Sequence, residues 1–160
     1  MERIIETMEP LVKSIIIVSD NSGYDMFGYR RVEDIIKDSG PLAGLYTGLF
    51  YSKTEYNLVL SCDVPLINSS ILTKLIDGFD ENKDVVQLSC QNKTIPLVAL
   101  YKKHCMPRCL ELLEKGEKRL RVALENLNTK TIAVDSNMEL YVKNINTKDQ
   151  LNELQHAVEH

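Results

Sequence analysis

The residues of this chain that could act together chemically are two acids, two asparagines, a basic pair and a glycine-rich turn. Asp63 closes the run YNLVLSCDVP (56–65), in which an apolar segment ends in a carboxylate and Pro65 then stops any strand. An acid at the carboxyl end of a strand can hold a divalent cation against phosphates. It can equally cap the helix that begins near Asn68. Asp34 is a second acid in a loop after a short strand signal, and alone it reads as a solvated loop acid. Gly40-Pro41-Leu42-Ala43-Gly44 sets a turn into a helix, and small residues there let a ligand or a sheet approach the backbone. Asn144 and Asn146 sit in NINT, a strand end followed by an N-cap, and their amides both donate and accept. Arg119 and Arg121, in GEKRLR, form either a solvated basic turn or a counter-charge for an anionic substrate.

The elements needed to position these residues follow from periodicity. Residues 3–13 have helical spacing (Ile4, Ile5, Met8, Leu11, Val12) that Pro10 kinks or ends. Residues 14–18 and 57–60 are short, β-branched runs typical of strands buried on both faces. Segment 24–29 is irregular, and 31–36 holds a short strand. A helix is expected over 42–51, and another from Asn68 or Ser69 to Asp77, closed by Gly78. Strands follow at 84–89 and 95–100, helices at 102–114 and 119–127, a strand at 131–134, an edge strand at 141–145, and a last helix capped by Thr147. This alternation predicts one α/β domain over 1–160, three-layered, with a mostly parallel sheet and helices on both faces.

Composition narrows the partners. The chain has 160 residues, 44% hydrophobic and 26% charged, with a net charge of −4 that disfavours non-specific binding to nucleic acid. No apolar run reaches membrane-spanning length and no signal peptide is visible, which reads as a cytoplasmic protein. Cys62, Cys90, Cys105 and Cys109 form no CxxC pair and read as free thiols. Cys105 and Cys109 lie one helical turn apart beside His104, but Pro107 intervenes and a fourth metal ligand is lacking. His104, His156 and His160 all look peripheral.

Taken in order, GPLAGLYTGL (40–49), SCDVPLI (61–67), TIPLVALY (94–101), GEKRLR (116–121) and KNINTKDQL (143–151) resemble the molybdenum cofactor guanylyltransferases, within the fold of the nucleotide-diphospho-sugar transferases. The resemblance covers essentially the whole chain. It implies transfer of GMP from GTP, with Mg2+, to the terminal phosphate of the molybdopterin cofactor, with release of pyrophosphate. Asp63 matches the magnesium-binding, catalytic aspartate. Asn21, Asp34, Pro41, Leu42 and Gly44 fall on the nucleotide side, and Arg119, Arg121, Asn144 and Asn146 on the pterin side. No strong general base is required, because the attacking group is already a phosphate anion. A homo-oligomer, molybdoenzymes and other cofactor-biosynthesis proteins are the protein partners compatible with this reading. The competing readings are a cytidylyl or sugar-phosphate transferase of the same fold and a non-catalytic nucleotide-binding module derived from it.

The sequence departs from that family at its start. Relatives open with a strand and a glycine-rich loop of the form LAGGxSxRMGxxK, whereas this chain opens on an amphipathic helix. Without that strand and loop, the strands at 14–18 and 57–60 are expected to close on each other, or a second copy of the chain to fill the gap. Little or no guanylyltransferase activity is expected from the polypeptide as it stands. Lys148, where relatives usually have Pro, leaves the capping by Thr147 and Asp149 intact and carries little functional weight.

Overall fold

A computed structural model describes residues 1–145 and 147–159. The chain opens with α1 (Glu2–Met8), which tightens into a 3-10 turn over Glu9–Leu11 where Pro10 cannot continue the α-helical ladder. β1 (Ile16–Val18), a 3-10 segment (Ser22–Phe27) and β2 (Arg30–Val32) follow. Then come α2 (Gly40–Tyr51), β3 (Tyr56–Leu60) and α3 (Ser69–Asp77). β4 (Val85–Cys90) and β5 (Lys93–Lys102) form a hairpin. α4 (Met106–Glu114), α5 (Leu120–Glu125), β6 (Thr129–Val134), α6 (Glu139–Val142) and α7 (Lys148–Glu159) complete the chain.

The strands form two sheets. β1 pairs with β2 in parallel, and the larger sheet has the order β3-β5-β4-β6. Within the larger sheet β5 alone is reversed: it is antiparallel to both β3 and β4, while β4 and β6 run parallel. Helices cover both faces. α2, α4 and α5 pack on one face around Val85, Ala99 and Tyr101. α1 and α3 pack on the other around Val86, Leu88 and Val98. The period-2 alternation of Val98, Ala99, Leu100 and Tyr101 between these two cores is what a strand covered on both sides requires.

The structure adds one connection to the expected sheet and corrects two expectations. β4 and β5 are joined by Gln91 and Asn92 at φ 51° and 64°, a two-residue hairpin turn built without glycine, which brings in the antiparallel strand. The ladder also jumps, Gln87 facing Ala99 but Leu88 facing Ile95; the excess segment contains Pro96, which has no N–H to give a neighbour. Residues 141–145 are not an edge strand: α6 ends at Val142 and the backbone is extended at Lys143, and Thr147 Oγ1 accepts from the Gln150 amide at 3.1 Å. Finally, of the two alternatives expected for β1 and β3, closure on each other does not occur within the chain. Among the described residues β1 pairs only with β2 and β3 only with β5, and Leu58, Val59 and Leu60 remain half-buried.

Asn68 caps α3, its Oδ1 accepting the Ile71 amide at 2.9 Å, and Leu72 and Leu75 are fully buried beneath that helix. Asn68→Ala is expected to cost about 1 kcal/mol in chemical denaturation, with an unchanged m-value.

Candidate active site

β3 delivers Asp63 into a tight turn, closed by the Val64 amide donating to the Ser61 carbonyl at 3.2 Å. The Asp63 amide donates to Ser61 Oγ at 3.1 Å, and its carbonyl accepts the Ile145 amide at 2.6 Å. Leu66 and Ile145, both buried, pack together with Leu140, Tyr141 and Leu151 beside them. The Asp63 loop and the segment that carries Asn144 are thus locked together by a hydrogen bond and an apolar cluster. Asn144 is exposed next to the buried Ile145; Asn146 lies outside the described residues. The capping alternative for Asp63 fails, since Asn68 caps α3. The Asp63 carboxylate is half-exposed, with Cys62 Sγ 3.9 Å from its Oδ1. A cavity of about 240 Å³ lies along the Asn144 segment, lined by Lys143, Asn144, Ile145, Gln150 and Glu153.

A second group of residues gathers at the carboxyl ends of β1 and β2. Asp20 follows β1, and its Oδ1 accepts from the Asp34 amide at 3.2 Å and from Lys37 Nζ at 3.0 Å. Asn21 caps the 3-10 segment, with Oδ1 accepting from the Gly23 amide at 2.9 Å, so that oxygen already has a role within the chain. Thr47, fully buried in α2, accepts the Ile35 amide at 3.0 Å and ties the Asp34 loop to the helix. Asp34 Oδ1 is buried with no hydrogen-bond partner among the described residues. A Cβ added at Gly44 would stand 4.0 Å from it, which is ordinary contact.

An orphaned buried oxygen of this kind is costly unless something outside the chain satisfies it. Burial raises the Asp34 carboxyl above its usual range, the charge of Asp20 adds to this, and Lys37 opposes it. In the unfolded chain Asp34 ionises near pH 4, whereas in the folded protein it ionises at higher pH. The stability present below pH 4 is therefore lost as the pH rises through the folded value. Asp34→Asn is expected to raise stability at pH 7 by about 1 kcal/mol, with the gain vanishing near pH 3; thermal melts across that range check it.

The third group is the start of α2. Ser39 makes no side-chain cap; instead the Leu42 amide donates to the Lys118 carbonyl at 3.2 Å. Leu42's side chain is fully buried in the core, while Pro41 occupies the first turn and is exposed. Gly40 has φ +66°, and a Cβ there would meet Lys118 Cβ and O at 3.3 Å. Arg119 is held by Glu117: Nε donates to Oε1 at 2.9 Å and Nη2 to Oε2 at 3.2 Å. Arg121 is exposed in the first turn of α5.

The structure therefore joins Asp63 to Asn144, and the glycine turn to the basic turn. Among the described residues no hydrogen bond or ion pair links those two groups directly. Asp20, Lys37 and Glu117 were missed in the sequence. Asp20 had a signal, because SIIIVSD repeats the pattern of an apolar run followed by an acid that singled out Asp63.

The residues fit a divalent cation held by one carboxylate. Among the described residues no three His, Cys, Asp or Glu side chains converge, so a cation on Asp63 would complete its shell with phosphate oxygens and water, as Mg2+ commonly does. Burial pushes the Cys105 thiol up to about 12 and the Cys109 thiol up to about 11, which favours their protonated forms.

The fold is that of the nucleotide-diphospho-sugar transferases. A solved protein from Aquifex aeolicus VF5 superposes with a TM-score of 0.82 at 28% identity, over 92% of this chain and 78% of that one. The molybdopterin-guanine dinucleotide biosynthesis protein A of Archaeoglobus fulgidus superposes with a TM-score of 0.74 at 20% identity, over 99% of this chain and 84% of that one. The chain belongs to the family of the MobA-like NTP transferase domain, whose model matches residues 1–131. A curated relative from Flavobacterium johnsoniae, named probable molybdenum cofactor guanylyltransferase, is 32% identical over 154 residues, 96% of this chain and 81% of its own.

Proposed function

We propose that this chain is a molybdenum cofactor guanylyltransferase-like protein, with the site of enzymes that carry GMP from GTP to the terminal phosphate of molybdopterin with release of pyrophosphate. The observation that carries the reading is the lock between Asp63 and the Asn144 segment: an uncapped carboxylate and a polar amide held on the same rim by the 2.6 Å bond from Ile145. Mg2+ bound at Asp63 would offset the charge that develops on the phosphates. The chain's own residues orient the two substrates. Asp34 offers its unpartnered oxygen to a donor on the nucleotide, since GTP carries N–H and O–H groups and a buried acceptor wants one. Asn144, beside the cavity, and Arg119 and Arg121 serve the anionic pterin. No side chain is needed as a strong base, because the nucleophile is a phosphate oxygen; the task is alignment and charge neutralisation.

No helix of the described residues is long and apolar enough to cross a membrane, and soluble nucleotide and pterin substrates point to the cytoplasm. The test is a competition. GTP with Mg2+ is expected to stabilise the protein against heat, and CTP with Mg2+ to do so far less. Equal protection by CTP would favour a cytidylyl transferase of the same fold, and no protection by either would favour a non-catalytic module.

A further inference from the structure

The GEKR turn contains an internal contact that competes with anion binding: the carboxylate of Glu117 sits on the very arginine expected to meet a phosphate. Glu117 Oε1 accepts from the Lys118 amide at 3.1 Å, the Arg119 amide at 3.0 Å and Arg119 Nε at 2.9 Å, and Oε2 accepts from Arg119 Nη2 at 3.2 Å. The glutamate side chain is only 20% exposed, whereas that of Arg119 is 65% exposed. These bonds use two of the five guanidinium N–H donors. The other three, two on Nη1 and one on Nη2, have no partner among the described residues. The turn is also fixed at its base. The Glu117 amide donates to the Leu112 carbonyl at 2.9 Å, Gly116 supplies φ +86°, and the Lys118 carbonyl receives the Leu42 amide.

We propose that Glu117 is a positioning residue: it grips the Nε edge of Arg119 so that the outer Nη edge stands ready, beside the start of α2, for a phosphate monoester. This rests on the reading of the GEKR turn as the pterin-phosphate side of the site. The physical point is entropy. A free arginine loses most of its rotamer freedom when it binds an anion, whereas one already held by a carboxylate has lost it during folding. The cost of a nearby negative charge is modest at so exposed a position, where solvent screens it.

The two views of Glu117 predict opposite signs. If it merely neutralises Arg119, Glu117→Gln removes a competing negative charge and phosphate binds more tightly. If it positions Arg119, the same substitution loosens the guanidinium and phosphate binds about tenfold more weakly. The experiment follows the Arg119 Nε–Hε resonance by ¹⁵N NMR while inorganic phosphate is added, at constant ionic strength, to the wild type, Glu117→Gln and Arg119→Ala. A thermal melt of each variant confirms folding. The expected result is a phosphate-dependent shift in the wild type, a tenfold higher midpoint in Glu117→Gln, and a titration at neighbouring amides abolished by Arg119→Ala. An unchanged or lower midpoint in Glu117→Gln overturns the proposal. So does a wild-type Arg119 resonance that ignores phosphate. If protection by GTP with Mg2+ persists in that last case, the nucleotide reading stands and only the role of this turn falls.

Discussion

Asp63→Ala is expected to remove most of the stabilisation by GTP with Mg2+ while leaving the unliganded protein folded. At a ligand concentration a hundred times the Kd, a site contributes about 2.7 kcal/mol of stability. In a domain of this size that corresponds to about 5–10 °C in Tm. Loss of a carboxylate that anchors the metal and the phosphates is expected to weaken binding by roughly a hundredfold, leaving a shift of about 1 °C. The unliganded melt should hardly move, because the Asp63 side chain caps no helix and its structural bonds come from its backbone amide and carbonyl. Small surface changes of that sort usually fall within about 0.5 kcal/mol. A variant that melted several degrees lower without ligand would assign the carboxylate a structural role instead.

The second large effect lies in α2, where two glycines are expected to respond with opposite signs. Gly40 adopts φ +66°, which a residue with a Cβ pays for at about 1–2 kcal/mol, and its added carbon would press on the Lys118 carbonyl at 3.3 Å. Gly40→Ala is therefore expected to destabilise the fold by about 2 kcal/mol and to disturb the Leu42–Lys118 bond that seats the basic turn. Gly48 has ordinary helical geometry, and a Cβ there would rest 3.6 Å from Val18 Cγ2, a normal contact. Gly48→Ala is expected to be neutral or to stabilise by up to about 1 kcal/mol, because alanine loses less backbone entropy in a helix. Urea denaturation of the two variants side by side checks the contrast. Equal effects would show that the Gly40 turn is not under the constraint described.

The legibility of this chain depended on whether the information was local. Pro10, Asn68, Gly78 and Thr147 announce helix boundaries through their own backbone chemistry, and each acts where the periodicity placed it. The β4–β5 hairpin was opaque because Gln91 and Asn92 reach positive φ without the glycine that normally signals such a turn. The segment at 141–145 looked like a strand from its residue types, yet Tyr141 packs beside Leu66 and Ile145, and that tertiary contact decides its shape. Asp63 was readable because a strand, an acid and a proline stand in sequence. Asp20, Lys37 and Glu117 were not, because their importance lies in what they touch: Asp34's backbone, Asp20's carboxylate and Arg119's guanidinium.

Cys90, Cys105 and Cys109 are free and buried, as the absence of paired spacing suggested, and Cys62 is free but exposed beside Asp63.

The most direct measurement of the central claim places the metal itself. Mn2+ with GTP, titrated into ¹⁵N-labelled protein, broadens amide resonances near the ion by paramagnetic relaxation. Selective loss of signal is expected at Ser61, Cys62, Asp63 and Val64 and at Ile145, whose amide is bonded to the Asp63 carbonyl. Lys83, Asp84 and His104, which cluster around the 2.5 Å contact of His104 with Asp84 at the other end of β4, are expected to keep theirs. Broadening centred on Asp84 and His104, or none at the Asp63 turn, would contradict the assignment.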